Sequence, residues 1–165
     1  MQTSVLYTGL RAGRSKLLAV AEYPFEKFSQ HSRRALVCAQ QEAEDAAAGY
    51  IGTEHLLLGL LRVGAGSAFR ALQTLDIDEM RLRRDIDQVK RAPPQLHLIP
   101  TKAVKRAIEY AFEESTRRGA DSVRTAHILA GIVQVDDGVG AAVLKRQWAE
   151  PGVVMAAVDR ELRLT

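Results

Sequence analysis

Two histidine-bearing segments stand 72 positions apart in the chain, and they carry the side chains best suited to chemistry. The first, YIGTEHLLLGL, contains Glu54 and His55, whereas the second, SVRTAHILAGI, contains His127 but has Ala126 in place of the glutamate. A metal site is not indicated, because no cysteine or carboxylate joins the two histidines at ligand spacing. We interpret both histidines as packed, hydrogen-bonded core residues.

The glutamate of the first segment has two interpretations. A carboxylate can hold a guanidinium group through a bidentate, charge-assisted contact. Glu54 can equally serve as a helix cap, because acidic residues are common in the first turn of a helix. The residues alone leave both interpretations open.

No constellation of residues indicates catalysis. The chain has no Gly-x-x-x-x-Gly-Lys-Ser/Thr phosphate loop and no Ser/His/Asp, Cys/His or paired-carboxylate arrangement. Its single cysteine, Cys38, corresponds to Tyr110 in the second copy, and we interpret it as a buried apolar residue rather than a nucleophile. We therefore expect a protein that is not an enzyme, with no catalytic residue, no cofactor and no metal.

The composition is that of a globular protein built mainly of helices. The chain has 165 residues, of which 47% are hydrophobic, 26% charged and only 5% aromatic, so the core must come from Leu, Val, Ile and Ala. The net charge of +3 is dispersed, which disfavours nucleic-acid binding. No apolar run approaches the ~20 residues of a membrane span. The single cysteine fits a reducing compartment, and we predict a cytoplasmic protein.

The two segments belong to a longer internal repeat. The 72-residue offset holds without a gap from Ser29/Thr101 to Leu72/Leu144, and twelve of these 44 pairs are identical. Apolar residues recur at helical spacing between Gly and Pro breaks. We predict an all-α fold of two tandem, pseudo-symmetric four-helix repeats, with eight helices in total.

The predicted boundaries follow the breaks in this pattern. Repeat 1 covers about 25–90, a linker with three prolines covers 91–100, and repeat 2 covers about 101–165. Residues 1–24 form an N-terminal extension, either extended or a hairpin. We also predict four helix N-caps, one proline in the first turn of the last helix and two aromatic core residues: Ser29, Thr53, Thr101 and Thr125; Pro151; Phe69 and Trp148.

These motifs resemble the Clp N-terminal (Clp repeat) domain, the double four-helix module that precedes the ATPase modules of ClpA, ClpB and ClpC unfoldases. The resemblance covers roughly 25–164 and is greatest to the ClpC type. It rests on FEKFS over 25–29, RRA over 33–35, the segment YIGTEHLLLGL, and GAGSA over 64–68. Because the chain lacks a phosphate loop, it resembles a free-standing Clp N-domain or a fragment containing one. The resemblance implies a binding or adaptor module.

For a ClpC-type domain, the resemblance implies that each repeat binds phosphorylated arginine on proteins marked for degradation. The residues that match the first site are Ser29, Arg33, Arg34 and Glu54. A helix N-terminus beside a carboxylate suits a phosphoguanidinium group, which carries both charges. The second site keeps Thr101 but has Ala126 and Arg124 where the family has glutamate and glycine. We expect this weak second site to bind phosphoarginine poorly or not at all.

The same resemblance implies a groove for cyclic peptide antibiotics of the cyclomarin kind, matched here by Phe25, Lys105 and Glu109. A plain salt bridge between Lys105 and Glu109 is the alternative interpretation, and Pro100 stands where the family has an aromatic residue. The expected role is an adaptor or a decoy for the Clp unfoldase-protease. Its expected partners are Clp protease components or their substrates, phosphoarginine proteins and cyclic peptides, with no membrane. A protein–protein interaction module with vestigial ligand sites is the alternative.

Overall fold

The computed structural model describes residues 24–89 and 98–164. Within them, a 3-10 turn over Phe25–Lys27 leads into eight α-helices, and the all-α prediction is confirmed. The helices are α1 (Gln30–Asp45), α2 (Thr53–Arg62), α3 (Ser67–Thr74), α4 (Glu79–Asp87), α5 (Lys102–Arg117), α6 (Thr125–Gln134), α7 (Val139–Lys145) and α8 (Pro151–Arg163). Nearly all of the predicted extension over 1–24 and most of the predicted linker lie outside the described residues.

Hydroxyl side chains fix the starts of the two long helices. The Ser29 hydroxyl accepts the backbone N–H of Ser32 (3.2 Å) at the start of α1, and the Thr101 hydroxyl accepts that of Val104 (3.2 Å) at the start of α5. These bonds satisfy backbone donors that a helix end leaves without a partner. Both predicted caps are confirmed, and so is Pro151 in the first turn of α8.

The prediction that Thr53 and Thr125 cap their own helices is wrong. Each is the first helical residue, and the N-caps of α2 and α6 are Gly52 and Arg124. The backbone N–H of each N-cap donates to Nδ1 of the histidine three residues further on, at 2.9 Å in both helices. Because the histidines stabilise these helix starts, the threonine hydroxyls are available to other groups.

The two threonine hydroxyls tie the repeats together. Thr53 Oγ1 accepts the N–H of Gly140 (2.9 Å) in the first turn of α7, and Thr125 Oγ1 accepts the N–H of Ala68 (3.0 Å) in the first turn of α3. Both bonds are buried. Each threonine therefore satisfies a helix N-terminus that belongs to the other repeat.

Two short parallel contacts add strand structure to the helical fold. β1 (Tyr50–Ile51) pairs with β2 (Ile99–Pro100), and an isolated bridge joins Phe28 to Val123. The 72-residue offset relates the two contacts. In each, the chain that leads into the first helix of one repeat lies against the chain that leads into the second helix of the other.

The second helix of each repeat forms the centre of the core. Nine of the ten residues of α2 are buried, and so are nine of the ten residues of α6. A Cβ added at Gly59 would overlap the carbonyl oxygen of Ala35, and one added at Gly131 would overlap that of Ala107. These two identical glycines of the repeat therefore permit close packing of α2 against α1 and of α6 against α5.

The three side chains that were predicted to be buried in the core differ in their burial. Phe69 is partly buried and packs against the core. The prediction for Trp148 is wrong, because this residue is 84% exposed in the turn after α7, where its backbone φ is +62°. Cys38 is half-buried rather than buried. Burial raises the pKa of the Cys38 thiol, which keeps it in the unreactive protonated form.

Candidate ligand-binding site

The start of α5 lies beside the segment that contains Glu54. The backbone N–H of Thr101 donates to the carbonyl oxygen of Ile51 (2.9 Å), and Gly52 and Glu54 follow shortly along the chain. We call Ile51, Gly52, Glu54 and Thr101 the Glu54 site. It combines a helix N-terminus of repeat 2 with a carboxylate of repeat 1.

The start of α1 lies beside the corresponding segment of repeat 2. The backbone N–H of Ser29 donates to the carbonyl oxygen of Val123 (3.0 Å), and the hydroxyl of Ser32 donates to the same oxygen (2.7 Å). We call Ser29, Ser32, Val123 and Arg124 the Arg124 site. It has an arginine where the Glu54 site has a glycine, and it lacks a carboxylate because Ala126 replaces the glutamate.

The structure groups the predicted site residues differently from the sequence. Sequence reasoning placed Ser29 with Glu54 and Thr101 with Ala126, each pair within one repeat. The backbone hydrogen bonds instead join the helix N-terminus of each repeat to the segment of the other repeat. A repeat pattern shows which positions are equivalent, but it carries no signal about which copy a segment contacts.

The Glu54 carboxylate occupies a space that exists because residue 52 is glycine. Glu54 is 3% exposed, and a Cβ added at Gly52 would overlap both of its carboxylate oxygens. In the Arg124 site, the same two positions hold an arginine and an alanine. The large side chain is therefore Glu54 in the Glu54 site but Arg124 in the Arg124 site, and its charge is negative in the first site and positive in the second.

His55 and His127 are buried structural residues, as predicted. They are 3% and 0% exposed, and each accepts a backbone N–H on Nδ1, so the neutral ring carries its proton on Nε2. Burial lowers the pKa of His127 to about 4, and the positive charges of Arg124 and Arg118 add to the effect. Protonation of Nδ1 would break the bond to the Arg124 N–H, so the neutral form is the one that stabilises this helix start.

Glu42 and Glu114 are buried carboxylates held by arginines, and they form an identical pair in the repeat. Glu42 accepts from Arg83 (2.7 Å), and Glu114 accepts from Arg117 and Arg118 (both 2.6 Å). Hydrogen bonds from Arg83 lower the pKa of Glu42 against the opposing effect of burial. Burial by itself raises the pKa of Glu114, but the two arginines outweigh it and the pKa is lowered. These ion pairs were not predicted from the sequence, although the identity of the glutamate in both copies was a usable signal.

The residues assigned to a peptide groove lie on two elements. The Phe25 ring lies before α1, 5.2 Å from the guanidinium carbon of Arg33, which is a cation–π contact. Arg34 is exposed on α1. Lys105 and Glu109 are both exposed on α5, and within the described residues no ion pair joins them, so the alternative salt bridge is not formed.

The first turns of α5 border a positively charged pocket. Its volume is about 440 Å³, and it is lined by Lys102, Lys105, Arg106 and Asp137. Arg106 is paired with Asp137, whereas neither lysine forms an ion pair with another described residue. The backbone N–H groups at the start of α5 add to this positive potential. An anion would therefore be favoured at the helix end that belongs to the Glu54 site.

Neither a metal site nor a membrane span is indicated in residues 24–89 and 98–164. Within them, no group of three or more His, Cys, Asp or Glu side chains could hold a metal ion. No single helix of the described residues has the length and apolar character needed to cross a membrane. Helices α6 and α7 together have enough length and apolar character, but they are bent by 87° at the break between them.

Comparison with known proteins gives the family. Residues 27–147 match the Clp repeat (R) N-terminal domain. The chain belongs to this family, which comprises non-catalytic N-terminal domains of Clp ATPases. The resemblance drawn from the sequence motifs is confirmed.

The curated relatives are much longer proteins. The chain is 33% identical over 142 residues to a probable ATP-dependent Clp protease ATP-binding subunit of Chlamydia pneumoniae, covering 84% of this chain and 17% of that protein. It is 34% identical over 124 residues to the negative regulator of genetic competence ClpC/MecB of Bacillus subtilis strain 168, covering 73% of this chain and 15% of that protein. The chain spans about one sixth of the length of these relatives.

Solved structures share the fold. The N-terminal domain of the caseinolytic protease associated chaperone ClpD from Arabidopsis thaliana superposes with a TM-score of 0.69 at 26% identity, covering 86% of this chain and 98% of that chain. The N-terminal domain of the ClpV1 ATPase from E. coli superposes with a TM-score of 0.61 at 16% identity, covering 91% of this chain and 90% of that chain. At 16% identity, the similarity to the ClpV1 domain shows a shared fold and nothing more.

Proposed function

We propose that this chain is a ligand-binding Clp N-domain that captures protein substrates tagged with phosphoarginine, and that it does so at the Glu54 site. The observation that carries the proposal is the hydrogen bond from the Thr101 N–H to the Ile51 carbonyl oxygen, which sets the N-terminus of α5 beside the segment of a buried carboxylate. The ligand carries a phosphate and a guanidinium on one side chain. The site offers a partner for each group.

The chemistry of the Glu54 site matches both ends of the ligand. The N–H groups at the start of α5, with Lys102 and Lys105 nearby, favour the phosphate. Glu54 can accept two N–H bonds from the guanidinium in a bidentate contact. Because the carboxylate is buried, water screens such a contact less than it would at an exposed position.

The Arg124 site is proposed to bind phosphoarginine weakly or not at all. Ala126 supplies no carboxylate, and the guanidinium of Arg124 would repel that of the ligand. Ser29, Arg33 and Arg34 leave the site suited to the phosphate alone. The missing charged contact is worth roughly 1.5–3 kcal/mol, or about 10- to 100-fold in affinity.

Cyclic peptides of the cyclomarin kind are proposed as a second ligand class, with Phe25, Lys105 and Glu109 as contact residues. The Phe25 ring is half-buried and is held against Arg33, so it offers an apolar face in a fixed position. Lys105 and Glu109 offer opposite charges that do not neutralise each other. Such a combination of apolar and polar groups suits a peptide.

Within the Clp system, we propose that the chain acts as an adaptor that delivers tagged proteins to the unfoldase-protease, or as a decoy that withholds them. Membership of the Clp N-domain family supports this setting, and the proposed compartment is the cytoplasm. The second candidate function is an interaction module with vestigial ligand sites, which the loss of the carboxylate in the Arg124 site favours. If Glu54→Gln abolishes ligand binding but leaves co-purification of Clp components unchanged, the second candidate is favoured.

Calorimetric titration of phosphoarginine tests the proposal, with arginine and inorganic phosphate as control ligands. We expect close to one equivalent in the wild type and at least about tenfold weaker binding in Glu54→Gln, which keeps the shape of the side chain. The double variant Arg124→Gly/Ala126→Glu restores the first-copy residues in the Arg124 site and should add a second equivalent. No heat with the wild type, or full affinity in Glu54→Gln, would overturn the assignment.

A further inference from the structure

Trp148, the single tryptophan of the chain, is 84% exposed at the end of α7. Its φ of +62° lies in the left-handed region, and the next N–H, that of Ala149, bonds back to the Leu144 carbonyl oxygen (3.1 Å). Helices that end in this way usually place glycine at the left-handed position. The corresponding residue of repeat 1 is Asp76 (φ +54°), a type that accepts this conformation more readily. Trp148 therefore suits neither its turn nor the core.

The start of α4 is fixed beside this turn. The side-chain oxygen of Gln147 accepts the N–H of Asp78 (2.9 Å), and its amide donates to the Asp78 carbonyl oxygen (3.0 Å). Met80, which is 77% exposed, therefore lies at the same end of the molecule as Trp148. These are the two most exposed large apolar residues in the described part of the chain.

Three cationic residues are near the two apolar residues along the chain: Arg81 and Arg84 follow Met80 on α4, and Lys145 precedes Trp148. Arg81 donates to the backbone carbonyl oxygen of Arg146 (3.0 Å), so it lies beside the turn. Arg84 and Lys145 are exposed, and neither forms an ion pair with another described residue. We call Met80, Arg81, Arg84, Lys145 and Trp148 the Trp148 patch.

Three carboxylates lie near the patch, and one of them is in an ion pair. Asp78 accepts the backbone N–H of Arg81 (3.0 Å), and Asp85 pairs with Arg146 (3.6 Å). Glu150 is exposed at the N-cap position of α8, where the helix dipole stabilises a negative charge. Arg84 and Lys145, which form no ion pair with another described residue, are the cations that can pair with an incoming ligand.

We propose that the Trp148 patch is a docking site for an acidic segment of a partner protein that carries an apolar side chain. A tryptophan offers a large apolar area and dominates many protein interfaces. Arg81, Arg84 and Lys145 complement carboxylates and steer their approach. A second copy of the chain is disfavoured, because two such patches would bring like charges together. The patch shares no residue with the Glu54 site.

The single tryptophan allows a direct test, because its emission shifts to shorter wavelength when the ring leaves water. The probe is a short synthetic peptide of alternating Glu and Leu. It is compared with a peptide in which Lys replaces Glu and one in which Ser replaces Leu. We expect the Glu/Leu peptide to shift the emission and to bind at least about tenfold more tightly than either of the others.

Three variants separate docking from folding. Trp148→Gly should weaken binding by about tenfold or more, measured by anisotropy of a labelled peptide, while its unfolding temperature is no lower than that of the wild type. Asp76→Gly makes the same change at the corresponding turn of repeat 1, so it is the matched control and should bind normally. Lys145→Glu keeps the tryptophan and should weaken the emission response.

Four results would overturn the proposal. The first two are the absence of an emission shift with the Glu/Leu peptide and equal binding of the Lys/Leu peptide. The third is an emission shift on phosphatidylserine vesicles but not with peptide. The fourth is an emission shift that appears when the protein concentration alone is raised. The vesicle result would identify a membrane surface as the occupant. The concentration result would identify a second copy of the chain.

Discussion

Gly52 and Glu54 share one space in the Glu54 site, so the effect of substituting one residue depends on the other. Alanine at position 52 would place a Cβ where the carboxylate of Glu54 lies, and the three nearest atoms to that Cβ all belong to Glu54. The backbone of Gly52 has a φ of −102°, which alanine adopts without strain. The clash is therefore with the Glu54 side chain, which has to leave its buried position.

Two contributions set the size of the effect. Crowding a packed site costs about 1–3 kcal/mol, and alanine is a poorer N-cap residue than glycine, which adds to the cost at position 52. We expect Gly52→Ala to lower the free energy of unfolding by at least about 1 kcal/mol in the wild type. In a Glu54→Ala background the clash is absent, so the same substitution should cost about 1–3 kcal/mol less than it does in the wild type.

Urea denaturation of the wild type, the two single variants and the double variant measures this coupling. The cycle should give an interaction of about 1–3 kcal/mol between the two positions. Gly152→Ala is the control for a Gly→Ala substitution without a clash, because no atom lies within 4 Å of a Cβ added there. If Gly52→Ala has the same sign and size in both backgrounds, the carboxylate does not occupy the space over Gly52 and the described site is wrong.

Three further predictions concern the contacts that hold the repeats and helices together. Thr53→Val removes the acceptor of the buried Gly140 N–H and should lower the free energy of unfolding in urea by about 1–2 kcal/mol, whereas Thr53→Ser should cost less. Folding lowers the pKa of His127 from 6.5 to about 4, so the folded state favours the neutral ring. The free energy of unfolding should therefore fall by up to about 3 kcal/mol as the pH drops from 6.5 to below 4. The fall should be smaller in His127→Gln. Gly59→Ala drives a Cβ into the Ala35 carbonyl oxygen and should cost about 1–3 kcal/mol, measured as a lower unfolding temperature.

Each of these predictions has a result that contradicts it. Equal stability of Thr53→Val and the wild type would mean that the hydroxyl does not satisfy the Gly140 N–H. For His127, the comparison is the change in stability between pH 7 and pH 4.5 within each protein, and identical changes in wild type and His127→Gln would show that another group titrates. A Gly59→Ala variant of wild-type stability would show that α1 and α2 do not meet at this glycine.

Local signals in the sequence were sufficient for much of the fold. The repeat and its helical periodicity predict eight helices, and the caps Ser29 and Thr101 act within three residues of their own position. The hydroxyl of Thr53 could not be assigned in this way, because its partner lies 87 positions further along the chain. A hydroxyl before an apolar helical run looks like a cap whether its oxygen accepts an N–H of its own helix or of a distant one.

The residues of the candidate site were selected one by one from the sequence, and their role in binding a ligand stays a prediction. Motif resemblance selects Ser29, Thr101 and Glu54. However, backbone hydrogen bonds determine which repeat each helix start contacts, and residue spacing does not predict these bonds. The prediction that Trp148 lies in the core was wrong for a different reason. Hydrophobicity predicts burial for a large aromatic residue, but the left-handed turn after α7 directs this one towards solvent.

The proposed pairing of Thr101 with Glu54 across the repeats can be measured by the phosphoarginine affinity of Thr101→Ala and Ser29→Ala, each in the wild-type and Glu54→Gln backgrounds. We propose that Thr101 and Glu54 form one site, so Thr101→Ala should weaken binding in the wild type and have little further effect in Glu54→Gln. Ser29→Ala, which removes the equivalent cap of α1, should leave the affinity unchanged. Loss of binding in Ser29→Ala with full affinity in Thr101→Ala would contradict the pairing across the repeats.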